Sequence, residues 1–232
     1  FYQNYSWSAN VSILSGQQPY VKVGDTACIY GGGFSSFYEA KSLIGGIKSP
    51  DVNMINILLI HGTAGFEFTQ GAYNPMSFDE LDSLGMDYIA LGHFHNRFEG
   101  AGKLKNIYNP GSPEPLGFDE TGQHGVFVVT MNKSDIGTCT RNVHFVELNS
   151  KSYTSIEVDV TGCGTADKVA GRIEQALSGR SVDKELLNIT LKGFIDSGFN
   201  INVKQLKAYF EDKVFFIKIK DETCADYNFE EI

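Results

Sequence analysis

Ile55-Asn-Ile-Leu-Leu-Ile-His61 and Tyr88-Ile-Ala-Leu-Gly-His93-Phe-His95 are the two stretches that decide the fold class. The first is a short, nearly continuous apolar run, which predicts a strand covered on both faces. The second begins with another apolar strand. Between them, Ser77 and Glu80 have the spacing of a capping box and predict the start of a short helix. Strands with an intervening helix predict a mixed α/β (α+β) fold.

Further strands are predicted on either side of these stretches. Short β-type runs lie at residues 21–23, 27–30, 105–108 and 126–129. Gly31-Gly32-Gly33 predicts a turn, because consecutive glycines permit close backbone approach and the Gly-Lys-Ser/Thr of a phosphate loop does not follow. The first part of the chain is therefore expected to form a mixed sheet with helices.

A different pattern begins near Ser150. Apolar residues alternate at 156–160, 187–191 and 215–220, which predicts three strands. Helical spacing at 169–177 and 203–210 predicts two helices, the second with Asn202 as its N-cap. These elements predict a compact β-α-β-α-β unit. We therefore expect two domains, residues 1–149 and residues 150–232.

The composition excludes several classes of protein. The chain has 232 residues, 42% of them hydrophobic, and a net charge of −9. This composition excludes a disordered chain, no apolar run approaches the roughly 20 residues of a membrane helix, and the acidity disfavours broad electrostatic binding to nucleic acid. Four scattered cysteines contain no Cys-x-x-Cys pair, which predicts reduced thiols in a cytoplasmic protein, with two disulfides as the alternative.

Three of the five histidines follow the two buried strands: His61, His93 and His95. Side chains beyond neighbouring strand ends converge in α/β sheets, so these histidines are candidate metal ligands. In extended backbone His93 and His95 point to the same side with Cβ atoms about 6–7 Å apart, which suits one histidine on each of two metals about 4 Å apart. Gly92 is expected to allow a sharp turn before them. Ordinary hydrogen-bonded or surface histidines are the alternative.

The remaining candidates have less support. Three neutral imidazoles do not complete a two-metal centre, which needs carboxylate and further oxygen ligands, and neither Asp25 nor Asp87 lies where a bridging ligand is needed. His124, in a turn, and His144, in a strand, are expected to be structural. The sequence has no Gly-x-Ser-x-Gly elbow, so nucleophilic catalysis has little support.

Three motifs together resemble the calcineurin-like metallophosphoesterases. They are Leu-Leu-Ile-His61-Gly-Thr, Asp87-Tyr-Ile-Ala-Leu-Gly-His93-Phe-His95, and the stretch from Tyr108-Asn-Pro-Gly-Ser112 to Gly125. The Gly-His-x-His element marks the superfamily. The Asn-Pro-Gly-Ser stretch is more specific and resembles the bacterial DNA repair exonuclease branch, SbcD-like and YhaO-like. The tail from Ser150 resembles the small capping domain of that branch.

The resemblance implies a β-sandwich flanked by helices that holds two Mn²⁺ ions, with Mg²⁺ or another divalent ion as the alternative. By resemblance, His61 and His93 ligate one ion and His95 the other. The implied function is that of a manganese-dependent DNA exo/endonuclease subunit of double-strand-break repair, with the capping domain positioning DNA. The implied partners are DNA, an SMC-like coiled-coil ATPase subunit and a second copy in a homodimer, in the cytoplasm and without a membrane.

The chain departs from this family at its beginning. The early motifs Asp-x-His, Gly-Asp and Gly-Asn-His-Asp/Glu, which supply the bridging aspartate and the asparagine ligand, are absent, and the chain starts at Phe1. We expect the C-terminal part of a nuclease polypeptide, which by itself binds metal weakly and is inactive. The alternatives are a phosphoesterase for small nucleotides or phosphoproteins, and a non-catalytic scaffold that binds DNA or an ATPase.

Overall fold

The fold is that of a computed structural model, which describes residues 5–47, 50–65 and 72–226. The chain forms two compact units. The first comprises Phe1–Pro113 and His124–Leu148, and the second comprises Glu114–Gln123 and Asn149–Ile232. The mixed α/β prediction is confirmed, since each unit combines helix and sheet.

The division differs from the predicted ranges at one segment. Residues 114–123 lie within the range predicted for the first domain but pack with the second unit. The Glu114 carboxylate accepts hydrogen bonds from the backbone N–H groups of Ser150, at 2.8 Å, and Lys151, at 2.9 Å. The Phe118 ring meets the Tyr153 ring edge-on, with centroids 4.9 Å apart. These polar and aromatic contacts join residues distant in sequence, which periodicity does not reveal.

The first unit is built on a six-stranded sheet of order β1-β2-β3-β4-β6-β5. Its strands are β1 (Tyr20–Val23), β2 (Ala27–Tyr30), β3 (Ile55–His61), β4 (Tyr88–Gly92), β5 (Phe98–Ala101) and β6 (Ile107–Asn109). Strands β2, β3, β4 and β6 are parallel, and β1 and β5 pair antiparallel at the edges. The carboxyl ends of β3, β4 and β6 therefore meet at one edge of the sheet.

One face of this sheet forms the core of the unit, where Leu58, Ile60 and Ile89 are almost fully buried. The prediction that the strand at 55–60 is covered on both faces is wrong, because Leu59 on the other face is 56% exposed. Side chains alternate along a strand, and the side chain at 59 borders an open cavity. A continuous apolar run does not show which face is covered.

A helix and a hairpin complete the first unit. Helix α1 (Phe78–Ser83) begins with the predicted capping box, in which Ser77 and Glu80 exchange side-chain-to-backbone hydrogen bonds of 3.1 and 2.8 Å. Strands β7 (Gly125–Lys133) and β8 (Cys139–Glu147) form an antiparallel hairpin, longer than the run predicted at 126–129. The Arg97 guanidinium lies 4.0 Å from the centre of the Phe145 ring on this hairpin.

The second unit has the predicted β-α-β-α-β order. Its elements are β9 (Ser152–Asp159), α2 (Ala166–Leu177), β10 (Glu185–Lys192), β11 (Phe194–Asp196), α3 (Val203–Phe210), β12 (Phe216–Asp221) and β13 (Cys224–Asp226). Strands β9, β10 and β12 form a parallel sheet with β10 in the centre. Asn202 caps α3 as predicted. The small β11–β13 pair was not predicted, because three-residue strands carry too little pattern.

Two further features bear on the predicted class of protein. None of the four cysteines is bonded to another in the structure, and Cys28 and Cys163 are buried. Within residues 5–47, 50–65 and 72–226, no helix has both the length and the apolar character needed to span a membrane.

Candidate metal centre at the ends of two strands

The ends of β3 and β4 bring two of the predicted histidines together. The strands are parallel and adjacent, and His61 lies opposite Gly92 in the register. His93 follows directly, and the centroids of the His61 and His93 rings are 5.3 Å apart, with the rings almost perpendicular. Two imidazoles that are 32 residues apart in the sequence thus share one corner of the sheet.

The turn after β4 differs from the predicted one. The left-handed backbone conformation lies at His93, with φ of 109°, and not at Gly92. The predicted extended backbone from His93 to His95 is therefore wrong. A non-glycine residue at positive φ is strained and persists only where its surroundings enforce it, often at functional sites.

Gly92 has a different role from the predicted one. A Cβ atom at this position would lie 3.0 Å from Nδ1 of His61, closer than ordinary van der Waals contact. The missing side chain therefore leaves room for the His61 imidazole above the end of β4. Sequence reasoning identified the glycine but assigned its effect to the backbone.

The electrostatics of the His61 and His93 rings favour their neutral form. Partial desolvation lowers the pKa of His61, and the neighbouring His93 and His95 lower this pKa further. Partial desolvation also lowers the pKa of His93, with His95 as the second cause. His95 is therefore within electrostatic reach of both other rings. The neutral imidazole is the form that binds a metal ion.

Asn74, which sequence reasoning missed, holds the backbone of His61. Its side chain is fully buried, its Nδ2 donates to the carbonyl oxygen of His61 at 2.8 Å, and its Oδ1 accepts from the N–H of Leu43 at 2.7 Å. A Cβ atom at Gly62 would lie 2.5 Å from the carbonyl oxygen of Asn74. An isolated asparagine in a loop gave no signal of this contact in the sequence.

The Pro-Gly-Ser segment contacts the backbone of His95. The N–H of Ser112 donates to the carbonyl oxygen of His95 at 3.0 Å. Gly111 has φ of 78°, and a Cβ atom there would lie 2.3 Å from the same oxygen. His124 is buried with Nδ1 2.9 Å from the carbonyl oxygen of Ser112, in keeping with the structural role predicted for it.

The acidic side chains near these strands have other partners. Asp87 lies at the opposite end of β4, where its carboxylate pairs with Lys133 at 2.9 Å and accepts from the N–H of Asn56 at 2.8 Å. In the part of the chain that the structure describes, no group of three or more His, Cys, Asp and Glu side chains has the geometry of a metal site. Imidazole nitrogens are suitable ligands for a divalent ion, and His61 and His93 lie side by side, but the three histidines do not by themselves form a metal site in the described part of the chain.

A cavity of about 900 Å³ opens beside His61. Its wall consists of the ends of β3 and β4 and of two loops, residues 12–15 and 32–37. Leu14 and Phe34 make this wall largely apolar, and the Phe34 ring contacts the His61 ring edge-on at 5.9 Å. The His61 imidazole is therefore open to molecules from outside the sheet.

Comparison with known proteins bears on this geometry. No protein-family model matches the chain. Over 182 residues, the chain is 30% identical to the uncharacterized metallophosphoesterase YhaO of Bacillus subtilis (strain 168). The aligned region covers 74% of this chain and 42% of that protein. The chain thus spans less than half the length of the curated relative it matches. The chain is therefore similar, over most of its own length, to a protein named as a metallophosphoesterase.

Proposed function

We propose that the chain is part of a manganese-dependent DNA exo/endonuclease subunit that hydrolyses phosphodiesters at a two-metal site. The observation that carries this proposal is that His61 and His93 meet at neighbouring strand ends, where their ring centroids are 5.3 Å apart. His95 is close enough to influence both rings electrostatically. The lowered pKa values of His61 and His93 keep both rings neutral and able to bind metal near neutral pH.

In this proposal His61 and His93 hold one divalent ion and His95 holds the second. Two bound ions lower the pKa of an attacking water and offset the charge that develops on the phosphate. The carboxylate ligand comes from outside the described histidine cluster. For this reason we expect the chain alone to bind metal weakly and to be inactive.

DNA is the substrate that the Asn-Pro-Gly-Ser segment favours, because this segment carries the resemblance to the nuclease branch. In the fold, the N–H of Ser112 in this segment donates a hydrogen bond to the backbone of His95. The more specific motif therefore lies next to the proposed metal site. The proposal includes residues 150–232 as a DNA-positioning domain. It also includes a homodimer and an SMC-like coiled-coil ATPase as partners, both of which rest on the resemblance.

Hydrolysis of small phosphodiesters is the second candidate. The net charge of −9 favours it, because binding to duplex DNA gains from Lys and Arg side chains that release counterions from the phosphates. A small nucleotide needs no such extended basic surface. The same histidines would hold the metal ions in both cases.

The test compares two substrates and two histidine variants in the product of the complete reading frame. Linear duplex DNA and bis(p-nitrophenyl) phosphate are each incubated with Mn²⁺. His93→Ala is expected to abolish DNA cleavage, whereas His144→Ala, an exposed histidine on β8, is expected to leave it unchanged. Cleavage of the small diester alone would favour the second candidate. Undiminished DNA cleavage by His93→Ala would contradict the proposed site.

A further inference from the structure

Asn109 lies at the end of β6, where the chain segment that contains His93 and His95 passes from β4 to β5. This asparagine ends β6, and β6 pairs with β4 on one side and with β5 on the other. The connection from β4 to β5 must therefore pass the end of β6. That connection comprises residues 93–97.

The Asn109 amide bonds to this connection on both sides of His95. Its Nδ2 donates to the carbonyl oxygen of Phe94 at 2.9 Å and to that of Asn96 at 3.0 Å. The residue is 1% exposed, so water does not replace these bonds. A primary amide is well suited here, because one nitrogen carries two N–H groups that point in different directions.

The carbonyl oxygen between these two is bound as well. The N–H of Ser112 donates to the oxygen of His95 at 3.0 Å. Three consecutive carbonyl groups, at Phe94, His95 and Asn96, thus accept hydrogen bonds from the segment 109–112. The backbone of this loop is fixed although it belongs to no strand.

We propose that Asn109 is a positioning residue, which sets the place of His95 relative to His61 and His93 by holding the backbone on both sides of it. The proposal rests on the proposed metal site. Its effect is on metal binding through His95, and Asn109 itself contacts neither metal nor substrate. Hydrogen bonds behind the ligands commonly change metal affinity by about 10- to 100-fold.

Asn106 provides a matched control within the same strand region. It immediately precedes β6, is also 1% exposed, and donates through Nδ2 to the carbonyl oxygen of Met86 at 2.7 Å. Among the described residues, the amide oxygens of Asn106 and Asn109 both lack a hydrogen-bond partner. Met86 precedes β4, so Asn106 acts at the opposite end of that strand from the histidines.

The experiment measures Co²⁺ binding to the 232-residue chain, with Co²⁺ as the only added metal. Dissociation constants come from visible absorption, and paramagnetic shifts of the imidazole NMR signals show which histidines bind. Asn109→Asp keeps the side-chain shape but replaces the nitrogen that carries both donors with one acceptor oxygen, which faces the two carbonyl oxygens. Asn106→Asp makes the same change at the control position. Asn109→Ser retains one donor and is a milder second variant.

We expect Asn109→Asp to raise the Co²⁺ dissociation constant roughly tenfold and to remove the paramagnetic shift of His95, with Asn109→Ser in between. Asn106→Asp is expected to lower the melting temperature while leaving the dissociation constant at that of the unsubstituted chain. Co²⁺ binding by both Asn109 variants with the unsubstituted affinity and His95 shift would overturn this inference alone. An equal loss of affinity in Asn106→Asp would also overturn it. Absence of Co²⁺ binding by the unsubstituted chain would overturn the proposed function and the inference together.

Discussion

Regularly spaced apolar side chains order the second unit, whereas individual polar contacts order the histidine segments of the first. In the second unit, alternate residues of β10 are buried, and α2 buries one face that includes Ile173. In the first unit, Asn74 and Asn109 hold the backbone next to the histidines. The comparison teaches that periodicity can reveal a scaffold from sequence, while the geometry of a site depends on contacts that have no period.

The largest expected effect is in the apolar core of the second unit. Phe210 on α3 is 1% exposed, and its replacement by alanine is expected to cost about 3–5 kcal/mol of unfolding free energy, because burial is lost and a cavity remains. Urea unfolding followed by circular dichroism measures this change. Phe215→Ala is the control, since Phe215 is 55% exposed. Equal losses in the two variants would show that burial does not order this unit.

The ion pair between Lys133 and Asp87, at the start of β4, tests whether a single polar contact stabilises the first unit about as much as a buried apolar side chain stabilises the second. Lys133 and Asp87 are 2.9 Å apart with side chains 10% and 14% exposed. Lys133→Met is expected to cost roughly 3 kcal/mol, because it leaves a largely buried carboxylate without its cation. Lys103→Met breaks a pair of similar length, 2.8 Å to Asp79, that is 78% and 75% exposed, and is expected to cost less than about 1 kcal/mol. Comparable urea midpoints for both variants would contradict this account.

Much of the scaffold could be predicted from sequence, because regular apolar spacing reveals strands and helices. The helix that begins after Asn202 and the strand at 187–191 follow from spacing and capping alone. The hairpin at 125–147 was only partly predicted, and β5 (Phe98–Ala101) was not predicted, because these strands have weak or interrupted apolar alternation. The full burial expected at Leu59 was wrong, since the pattern does not say whether a second layer covers it.

The site was predictable as a meeting of strand ends but not in its geometry. Parallel neighbours place His61 beside His93, and that follows from fold class. The positive φ of His93 and the space that Gly92 leaves do not follow, because both depend on side chains that are distant in the sequence. The roles of His61, His93 and His95 as metal ligands stay predictions.

Gly92→Ala tests the space above the end of β4. The added Cβ atom would lie 3.0 Å from Nδ1 of His61, so the imidazole must move by a few tenths of an ångström. We expect a several-fold weaker Co²⁺ affinity with little change in melting temperature. Gly45→Ala is the control, because open space surrounds a Cβ atom there. Unchanged Co²⁺ affinity in Gly92→Ala would show that the His61 ring position does not matter.

The smallest expected effect is in the pH dependence of stability. The pKa values of His61 and His93 are lowered in the fold, so the unfolded chain takes up protons first as the pH falls below about 6.5. Stability from these two groups is therefore complete above that pH and is lost as the pH falls toward their lowered values. The variant His61→Gln/His93→Gln is expected to lose less stability than the unsubstituted chain between pH 7.5 and 5.5. Urea midpoints measure this, with His144→Gln as the control, and parallel pH profiles for all three proteins would contradict it.

The most direct test of the central claim is the anomalous diffraction of crystals of this chain grown with Mn²⁺. The account predicts an anomalous difference peak within bonding distance of the His61 and His93 imidazole nitrogens, and its loss in crystals of the His93→Ala variant. A fully refined chain with Mn²⁺ bound elsewhere and no peak between these rings would contradict it.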